Sequence, residues 1–294
     1  MKHAILGAGG VGGLVGASLA HQGEQVTLLL RPESLAQHPG YLRLEGPTGN
    51  FEAPVRIDAE LREPVDVLWV TVKAYQLVAA LQAVLRNGSS IGTIVPLLNG
   101  IDHVTLLRSG FDPKGVVPGT IAVESERVAP GHIIQRSPFA RLALSAIGER
   151  QLKGVAERLR RAGLSCEFQT DEKTMLWSKL AFLAPFALTT TAGNKSKQEI
   201  FVDPGWRARL ESAVCEACAV AAAEGAPVDQ ARILTTIESL PPTMRSSMQK
   251  DVSVGRTPEL DAIGGPIIRG GRTHGIDVVA TRQLVATIGD RLPK

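Results

Sequence analysis

The sequence predicts an α/β amino-terminal domain followed by an all-α carboxyl-terminal domain, and three observations carry this prediction. First, a glycine-rich loop stands between a short apolar strand and a helix at the start of the chain. Second, strand and helix patterns alternate through the first half of the 294 residues. Third, from Asp171 onward strand patterns fade and helical spacing dominates. We therefore expect two domains, at residues 1–170 and 171–294.

The glycine-rich loop indicates a site for a dinucleotide. It follows a predicted buried strand at residues 2–6 and reads Gly7-Ala8-Gly9-Gly10-Val11-Gly12. In a G-x-G-x-x-G loop of the Rossmann type, Gly7 permits the tight turn, Gly9 lets the backbone approach a pyrophosphate, and Gly12 lets helix and strand pack closely. The pyrophosphate then binds N–H groups at the helix start. A merely flexible glycine loop is the alternative interpretation.

Arg31 ends the second predicted strand, at residues 25–30. In NAD-binding domains an acidic residue near this point accepts hydrogen bonds from the ribose 2′-hydroxyl. A guanidinium suits a 2′-phosphate instead, by its charge and its bidentate geometry. Arg31 therefore favours NADP over NAD, while Glu33 keeps NAD open and a solvated surface arginine is the structural alternative.

Two further predicted strands, at residues 65–72 and 92–98, are followed by a lysine and by an Asn-Gly turn. A surface lysine and a simple turn would be ordinary here. However, ligands of open parallel sheets bind beyond the carboxyl ends of the strands. We therefore expect four residues at one crevice: Gly7, Arg31, Lys73 and Asn99.

The rest of the first domain is predicted to be smaller strands and one helix. The strands lie at residues 116–123, 131–135 and 140–145, and their glycine and proline punctuation favours an antiparallel meander. The helix at residues 149–162 carries three arginines in its last turn, where cations complement the helix dipole. This basic cluster needs no ligand.

The second half contains predicted helices at residues 171–192, 205–224 and 258–274, with a shorter helix beginning near Asp229. Lys179 precedes turns that are almost wholly uncharged. Its ammonium is either a surface group on a buried stem or a desolvated proton donor with a lowered pKa.

Glu259 is a second charged residue of interest in this half. It follows Thr257-Pro258, a favourable pair for the N-cap and first position of a helix. Its carboxylate could therefore simply complement the dipole of that helix. The functional alternative is a carboxylate that takes part in catalysis.

Composition weighs against several function classes. The net charge is only +3 and aromatic residues make up 4% of the chain, which does not favour a nucleic-acid partner. No apolar run reaches the ~20 residues of a membrane span, so no membrane partner is expected. We expect a cytoplasmic protein without a metal site.

Cys215 and Cys218 form a C-x-x-C in a helical stretch, where a buried helix face is a simpler interpretation than redox chemistry.

In order and spacing, these residues resemble the ketopantoate reductase (2-dehydropantoate 2-reductase) family over essentially the whole chain. The matching motifs are the glycine loop, Arg31, Thr71-Val72-Lys73-Ala74-Tyr75-Gln76, Asn99-Gly100, Leu176-Trp177-Ser178-Lys179-Leu180-Ala181, Ser246-Ser247-Met248 and Glu259-Leu260-Asp261. The resemblance implies NADPH-dependent reduction of a 2-oxo acid, with cofactor and substrate meeting between the two domains. It implies ketopantoate as the substrate, in pantothenate biosynthesis.

The resemblance also implies roles for individual residues. Lys179 would be the general acid that protonates the ketone oxygen as hydride arrives. Asn99 and Lys73 would line the cleft for cofactor and substrate. Glu259 would bind the substrate hydroxyl or the nicotinamide ribose, and Ser247 would bind the substrate carboxylate.

Three positions depart from the family pattern. Ser125 falls where the family has a cofactor-lining alanine, and it is expected to contact the cofactor. Leu183 and Ala187 stand one and two turns after Lys179, where the family carries asparagines that contact the substrate. A substrate hydroxyl without such a partner loses on the order of 1 kcal/mol or more. Thr190, one turn further, could compensate in part.

Three functions therefore remain open. The first is reduction of ketopantoate. The second is NADPH-dependent reduction of a bulkier or less polar 2-oxo acid, which Leu183 and Ala187 favour. The third is a catalytically silent NADP-binding sensor, against which the presence of Lys179, Asn99 and Glu259 argues. A small-molecule substrate is the expected partner, and a homodimer is the oligomer that an apolar helical domain could form.

Overall fold

The computed structural model describes residues 1–47 and 49–292. Its strands are β1 (Lys2–Leu6), β2 (Gln25–Leu29), β3 (Tyr41–Glu45), β4 (Phe51–Pro54), β5 (Arg56–Asp58), β6 (Val65–Val70), β7 (Ile91–Pro96), β8 (Gly119–Ala122), β9 (Ser125–Ala129), β10 (His132–Gln135), β11 (Arg141–Ser145) and β12 (Ser165–Gln169). Its α-helices are α1 (Gly10–His21), α2 (Pro32–Leu35), α3 (Leu77–Leu85), α4 (Asp102–Gly110), α5 (Glu149–Arg161), α6 (Glu172–Gly193), α7 (Lys197–Val202), α8 (Pro204–Ala223), α9 (Gln230–Glu238), α10 (Ser247–Ser253), α11 (Leu260–His274) and α12 (Val279–Gly289).

The chain divides into two compact units. The first contains Met1–Leu98 and His103–Glu172, and the second contains Asn99–Asp102 together with Lys173–Lys294. All strands of the described residues lie in the first unit, and the second is helical. The predicted fold class, a Rossmann-type α/β domain plus an all-α domain, is confirmed. The assignment of separate functions to residues 1–170 and 171–294 stays a prediction.

A parallel sheet with the strand order β5-β2-β1-β6-β7 forms the framework of the first unit. Leu6 at the end of β1 lies opposite Leu29 of β2 and Val70 of β6. The chain runs outward from β1 through β2 to β5, and then returns to the other side of β1 for β6 and β7. In such sheets, ligands bind beyond the strand ends where the order reverses. The ligand position expected in this unit is therefore at the ends of β1 and β6.

Side-chain alternation along these strands builds a hydrophobic core on each face of the sheet. Ile5 and Trp69 belong to a cluster with apolar residues of α1 and α5. Ala4 and Leu68, one residue earlier in each strand, belong to a cluster with residues of α3 and α4. Helices thus cover both faces of the sheet, which explains why its central strands are almost continuously apolar.

The antiparallel meander predicted after residue 116 is wrong. β10 pairs antiparallel with β9 but parallel with β3, and β11 pairs antiparallel with β8 but parallel with β12. These strands belong to two separate sheets, β4-β3-β10-β9 and β12-β11-β8. The partner β3 lies far away in the chain and β12 follows only after α5, so local glycine and proline punctuation carries no information about either pairing.

The second unit packs its helices around an apolar core. The predicted inward face of α8 is confirmed, because its buried residues include Leu210, Val214, Ala217, Cys218 and Ala221. Cys215 on the same helix is exposed. The C-x-x-C pair therefore follows the helical burial pattern.

Within residues 1–47 and 49–292, no helix combines the length and the apolar character needed to span a bilayer.

Candidate active site

The glycine loop turns tightly against the segment that follows β6. Gly7 has a φ of +102°, and a Cβ there would lie 2.8 Å from the backbone nitrogen of Val72. A Cβ at Gly12 would lie 2.2 Å from the carbonyl oxygen of Gly7 and 2.4 Å from Thr71 Oγ1. At Gly9, by contrast, a Cβ would meet no heavy atom of the described residues within 4 Å. Glycine at 7 and 12 serves the packing of the loop itself, and Gly9 leaves space for a ligand.

Ser125 lies directly against this loop. Its hydroxyl donates to the carbonyl oxygen of Gly10 at 2.9 Å. A Cβ at Gly10 would lie 2.1 Å from the backbone oxygen of Ser125, and one at Gly13 would lie 2.3 Å from Cδ1 of Ile133. The sequence analysis missed these two close approaches, since Gly10 and Ser125 are 115 residues apart.

The start of α1 fits the pyrophosphate of a dinucleotide. The helix begins at Gly10, its N-cap Gly9 has no side chain that could cap the first amides, and its first turn contains no acidic residue. Amide N–H groups and the positive end of the helix dipole together attract a phosphate. The residues present therefore fit the cofactor class that the sequence predicts.

Arg31 and Lys73 follow β2 and β6, at the same edge of the sheet as the glycine loop. The exposed Arg31 has its Nε 3.6 Å from Oε1 of Glu33. Lys73 is half-buried and precedes a 3₁₀ turn, Ala74–Gln76. Asn99, the fourth residue expected at this crevice, groups with the second unit.

Lys179 lies on α6 in the second unit, with its side chain half-buried. Burial lowers the pKa of its ammonium from 10.5 to about 8. The carboxylate of Glu259 acts against this shift, because a nearby negative charge favours the charged form of the lysine. An ammonium in this range holds its proton at pH 7 and can release it during a reaction.

Glu259 is held by Asn99. The side-chain amide of Asn99 donates to Oε2 of Glu259 at 3.0 Å, and Glu259 is only 5% exposed. Gly100 permits this approach, because its φ is +80° and a Cβ there would lie 2.3 Å from the carbonyl oxygen of Ala262. The contact joins residues 160 positions apart in the sequence, and the sequence analysis did not foresee it.

The predicted start of the helix that follows Glu259 is wrong. Helix α11 begins at Leu260, with Glu259 itself at the N-cap in a non-helical conformation. Thr257 and Pro258, the predicted N-cap and first position, precede the helix. The Glu259 side chain does not cap the helix. Its hydrogen bond with Asn99 replaces the purely local role considered for it.

Arg269 ties the segment that carries Asn99 to α11. Its guanidinium forms ion pairs with Asp102 and with Asp261, the latter at 2.7 Å. Asp102 lies three residues after Asn99. This arrangement was also missed, because each charged residue alone is typical of a solvated surface.

The residues that follow Lys179 on α6 are apolar or engaged within the unit. Leu183 is half-buried and Ala187 is buried. Thr190 is fully buried, and its hydroxyl lies 2.8 Å from the carbonyl oxygen of Phe186 and 2.9 Å from Oγ of Ser246. The partial compensation expected from Thr190 is therefore not supported, since its hydroxyl already has internal partners.

Ser247, the residue expected to bind a substrate carboxylate, is exposed at the first position of α10. The preceding Ser246 caps this helix by accepting a hydrogen bond from the backbone N–H of Gln249 at 3.1 Å. Because Ser246 performs the capping, the exposed Ser247 is not needed as the cap of this helix.

The fold and these residues define a class of protein. One unit offers a loop that fits a dinucleotide. The other offers a half-buried, partly desolvated ammonium that interacts with a carboxylate, as proton transfer to a carbonyl undergoing reduction requires. In the described part of the chain, no group of three or more His, Cys, Asp or Glu side chains could hold a metal ion. The class is an oxidoreductase that uses a nicotinamide dinucleotide.

Family models narrow this class. The model described as ketopantoate reductase PanE/ApbA matches residues 3–148, and its carboxyl-terminal counterpart matches residues 171–291. Together they span most of the sequence. The chain belongs to the ketopantoate reductase family.

Individual relatives are similar over almost their entire length. An uncharacterized oxidoreductase, YkpB of Bacillus subtilis, is 29% identical over 91% of each chain. A 2-dehydropantoate 2-reductase of Caulobacter vibrioides is 29% identical over 97% of each chain. The crystal structure of a PanE/ApbA family ketopantoate reductase from Ralstonia eutropha JMP134 is 26% identical, with a TM-score of 0.85 over 98% of this chain and 97% of that one.

Proposed function

We propose that this protein catalyses the NADPH-dependent reduction of ketopantoate to pantoate, a step of pantothenate biosynthesis. The observation that carries the proposal is the Lys179 ammonium. Its burial lowers its pKa to about 8, and it interacts with the Glu259 carboxylate, which accepts a hydrogen bond from Asn99. Family membership and the named reductases among its relatives support the same reaction. The cytoplasmic location and a homodimer stay predictions.

NADPH is proposed over NADH because a guanidinium follows β2, where a 2′-phosphate would be bound. The residues of the first domain that would hold it are Gly7, Ala8, Gly9, Gly10, Val11, Gly12, Arg31, Lys73 and Ser125. When bound, the dinucleotide supplies the hydride. The glycine loop would bind the pyrophosphate and so orient the dinucleotide.

The residues of the second domain would manage the proton and the developing charge. As a carbonyl carbon gains hydride, negative charge grows on its oxygen, and a nearby cation stabilises it. Lys179 would donate its proton to that oxygen. Glu259, with Asn99 bound to it, would position the substrate hydroxyl or the nicotinamide ribose, and Ser247 would bind the substrate carboxylate.

A second candidate function is reduction of a less polar 2-oxo acid. It is favoured by Leu183 and Ala187, which offer no hydrogen bond to a substrate hydroxyl. Thr190 is engaged with Phe186 and Ser246. A site that surrounds the substrate hydroxyl with apolar side chains distinguishes weakly between this substrate and its analogue without the hydroxyl. A site that hydrogen-bonds the hydroxyl distinguishes strongly between them.

The deciding experiment compares two substrates that differ by a single hydroxyl. NADPH oxidation is followed with ketopantoate and with 3,3-dimethyl-2-oxobutanoate, which has hydrogen in place of the terminal hydroxyl. We expect ketopantoate to be preferred, with kcat/KM of ~10⁴ M⁻¹s⁻¹ or above. Equal or better use of the deoxy analogue would favour the second candidate.

Lys179→Ala tests the catalytic assignment itself. The variant should lose about 100-fold or more in kcat, because general acid catalysis and charge stabilisation disappear together. NADPH binding, followed by the change in nicotinamide fluorescence, should stay within about twofold. A silent NADP-binding sensor would instead show no turnover in either form, and an unchanged kcat would refute the role of Lys179.

A further inference from the structure

The guanidinium expected to receive a 2′-phosphate already has a carboxylate partner of its own. Arg31 Nε lies 3.6 Å from Oε1 of Glu33, and their side chains are 75% and 66% exposed. Glu33 is two residues beyond Arg31, within the short helix α2. A phosphate bound by Arg31 would therefore stand close to a second negative charge.

Two carboxylates at or just after the end of the neighbouring strand β5 are paired with other cations. Asp58 ends β5 opposite Leu29 of β2, and it accepts a hydrogen bond from Arg62 Nε at 3.1 Å. Glu60 forms an ion pair with Arg86. Their charges are compensated without Arg31. Glu33 is thus the carboxylate whose ion pair competes directly with a phosphate for the Arg31 guanidinium.

We propose that Glu33 sets the balance between NADPH and NADH, and that this protein binds both dinucleotides. The proposal rests on the proposed NADPH-dependent function. Glu33 weakens NADPH binding, because it pairs with the Arg31 guanidinium and repels the 2′-phosphate. It favours NADH binding, because its carboxylate can accept a hydrogen bond from the ribose 2′-hydroxyl, as in NAD-binding domains. Arg31 and Glu33 therefore act in opposite directions on cofactor choice.

Coulomb's law in solvent gives the magnitude for a phosphate bound on the far side of the Arg31 guanidinium. At a separation of about 7 Å, a carboxylate would weaken the binding of a phosphate with roughly two negative charges by about threefold to tenfold at low salt. Salt reduces this repulsion, because the Debye length is about 10 Å at 0.1 M. The effect of Glu33 on NADPH should therefore decrease as ionic strength rises.

The test measures Kd for NADPH and for NADH by nicotinamide fluorescence, without any 2-oxo acid. In Glu33→Gln, we expect NADPH to bind about threefold to tenfold more tightly and NADH to bind about twofold or more weakly. Glu63→Gln is the matched control. Glu63 is 60% exposed and pairs with Lys2 at the start of β1, at the opposite edge of the sheet, so its loss should leave the ratio of the two Kd values unchanged.

The outcomes separate this inference from the proposed function. If Glu33→Gln changes neither Kd, or changes both equally, Glu33 does not set the balance and the proposal is overturned. In that case, a selective loss of NADPH binding in Arg31→Gln would still support the proposed NADPH-dependent function, because it would show that Arg31 binds the 2′-phosphate. If the unaltered protein binds neither dinucleotide, the proposed function fails together with the inference. Thermal unfolding of each variant verifies that the exposed substitutions leave the fold unchanged.

Discussion

At the scale of single residues, the protonation of Lys179 decides when the proposed reduction can proceed. The ammonium form is the proton donor, and it predominates below a pKa of about 8. Glu259 favours this charged form and so raises the pKa, while burial lowers it. The pKa of Lys179 is thus set by two opposing causes, and the charge of Glu259 can be removed by mutation.

We predict that kcat/KM for reduction is constant below a pH of about 8 and falls about tenfold per pH unit above it. In Glu259→Gln the favourable charge is lost, so the pKa of Lys179 decreases and the fall in rate begins at lower pH. A pH profile of both proteins measures the displacement. Glu211→Gln, which removes an exposed carboxylate paired with Arg207, should leave the profile unchanged. A profile that does not move in Glu259→Gln would contradict the coupling.

The residue scale also marks a limit of prediction from sequence. The lysine and the carboxylate could both be singled out from their local surroundings. The hydrogen bond between Asn99 and Glu259 could not be predicted, because it joins residues 160 positions apart. Apolar periodicity reports which face of an element is buried, and it says nothing about which polar groups meet.

At the scale of elements, the strand–loop–helix at the start of the chain contains glycines with different tasks. Gly12 allows α1 to approach the end of β1, with 2.2 Å between a hypothetical Cβ and the Gly7 carbonyl oxygen. Gly9 has open space at the same position and a φ of −82° that any residue can adopt. Sequence reasoning could assign these tasks because strand, turn and helix signals all lie within a few residues.

Two alanine substitutions should therefore separate folding from binding. Gly12→Ala should lower the free energy of unfolding by about 2 kcal/mol or more, because its methyl group collides with backbone. Gly9→Ala should leave unfolding within about 0.5 kcal/mol and weaken dinucleotide binding by about tenfold or more, since the methyl group occupies the space of the pyrophosphate. Denaturant titration and nicotinamide fluorescence measure the two effects. Equal losses of stability in both variants would contradict this division.

Elements whose partners are distant in sequence were harder to predict. The ends of β1 and α8 match the local patterns closely, whereas the pairing of β10 with β3 and the start of α11 do not. Thr257-Pro258 is a favourable local start for a helix, yet the helix begins at Leu260. The hydrogen bond between Glu259 and Asn99 is a tertiary contact, and such contacts override local preference where the two disagree.

At the scale of the whole molecule, each hydrophobic core lies within one compact unit. The cores on the two faces of the parallel sheet belong to the first unit, and the core around α6 and α8 belongs to the second. The proposed division of labour assigns NADPH to residues 1–170 and the 2-oxo acid to residues 171–294.

Hydrogen exchange measured by mass spectrometry tests this division. NADPH at about 100 times its Kd stabilises the bound state by about 2.7 kcal/mol, which slows exchange about 100-fold at amides that open only when the ligand leaves. We expect this slowing in peptides that contain Gly7–Gly12 or Arg31. Adding ketopantoate to the NADPH complex should further slow exchange in peptides that contain Lys179 or Ser247. Helix α9, assigned to neither ligand, is the internal reference. If NADPH alone slowed exchange at Ser247 and left the glycine loop unchanged, the assignment of cofactor and substrate to the two domains would be wrong.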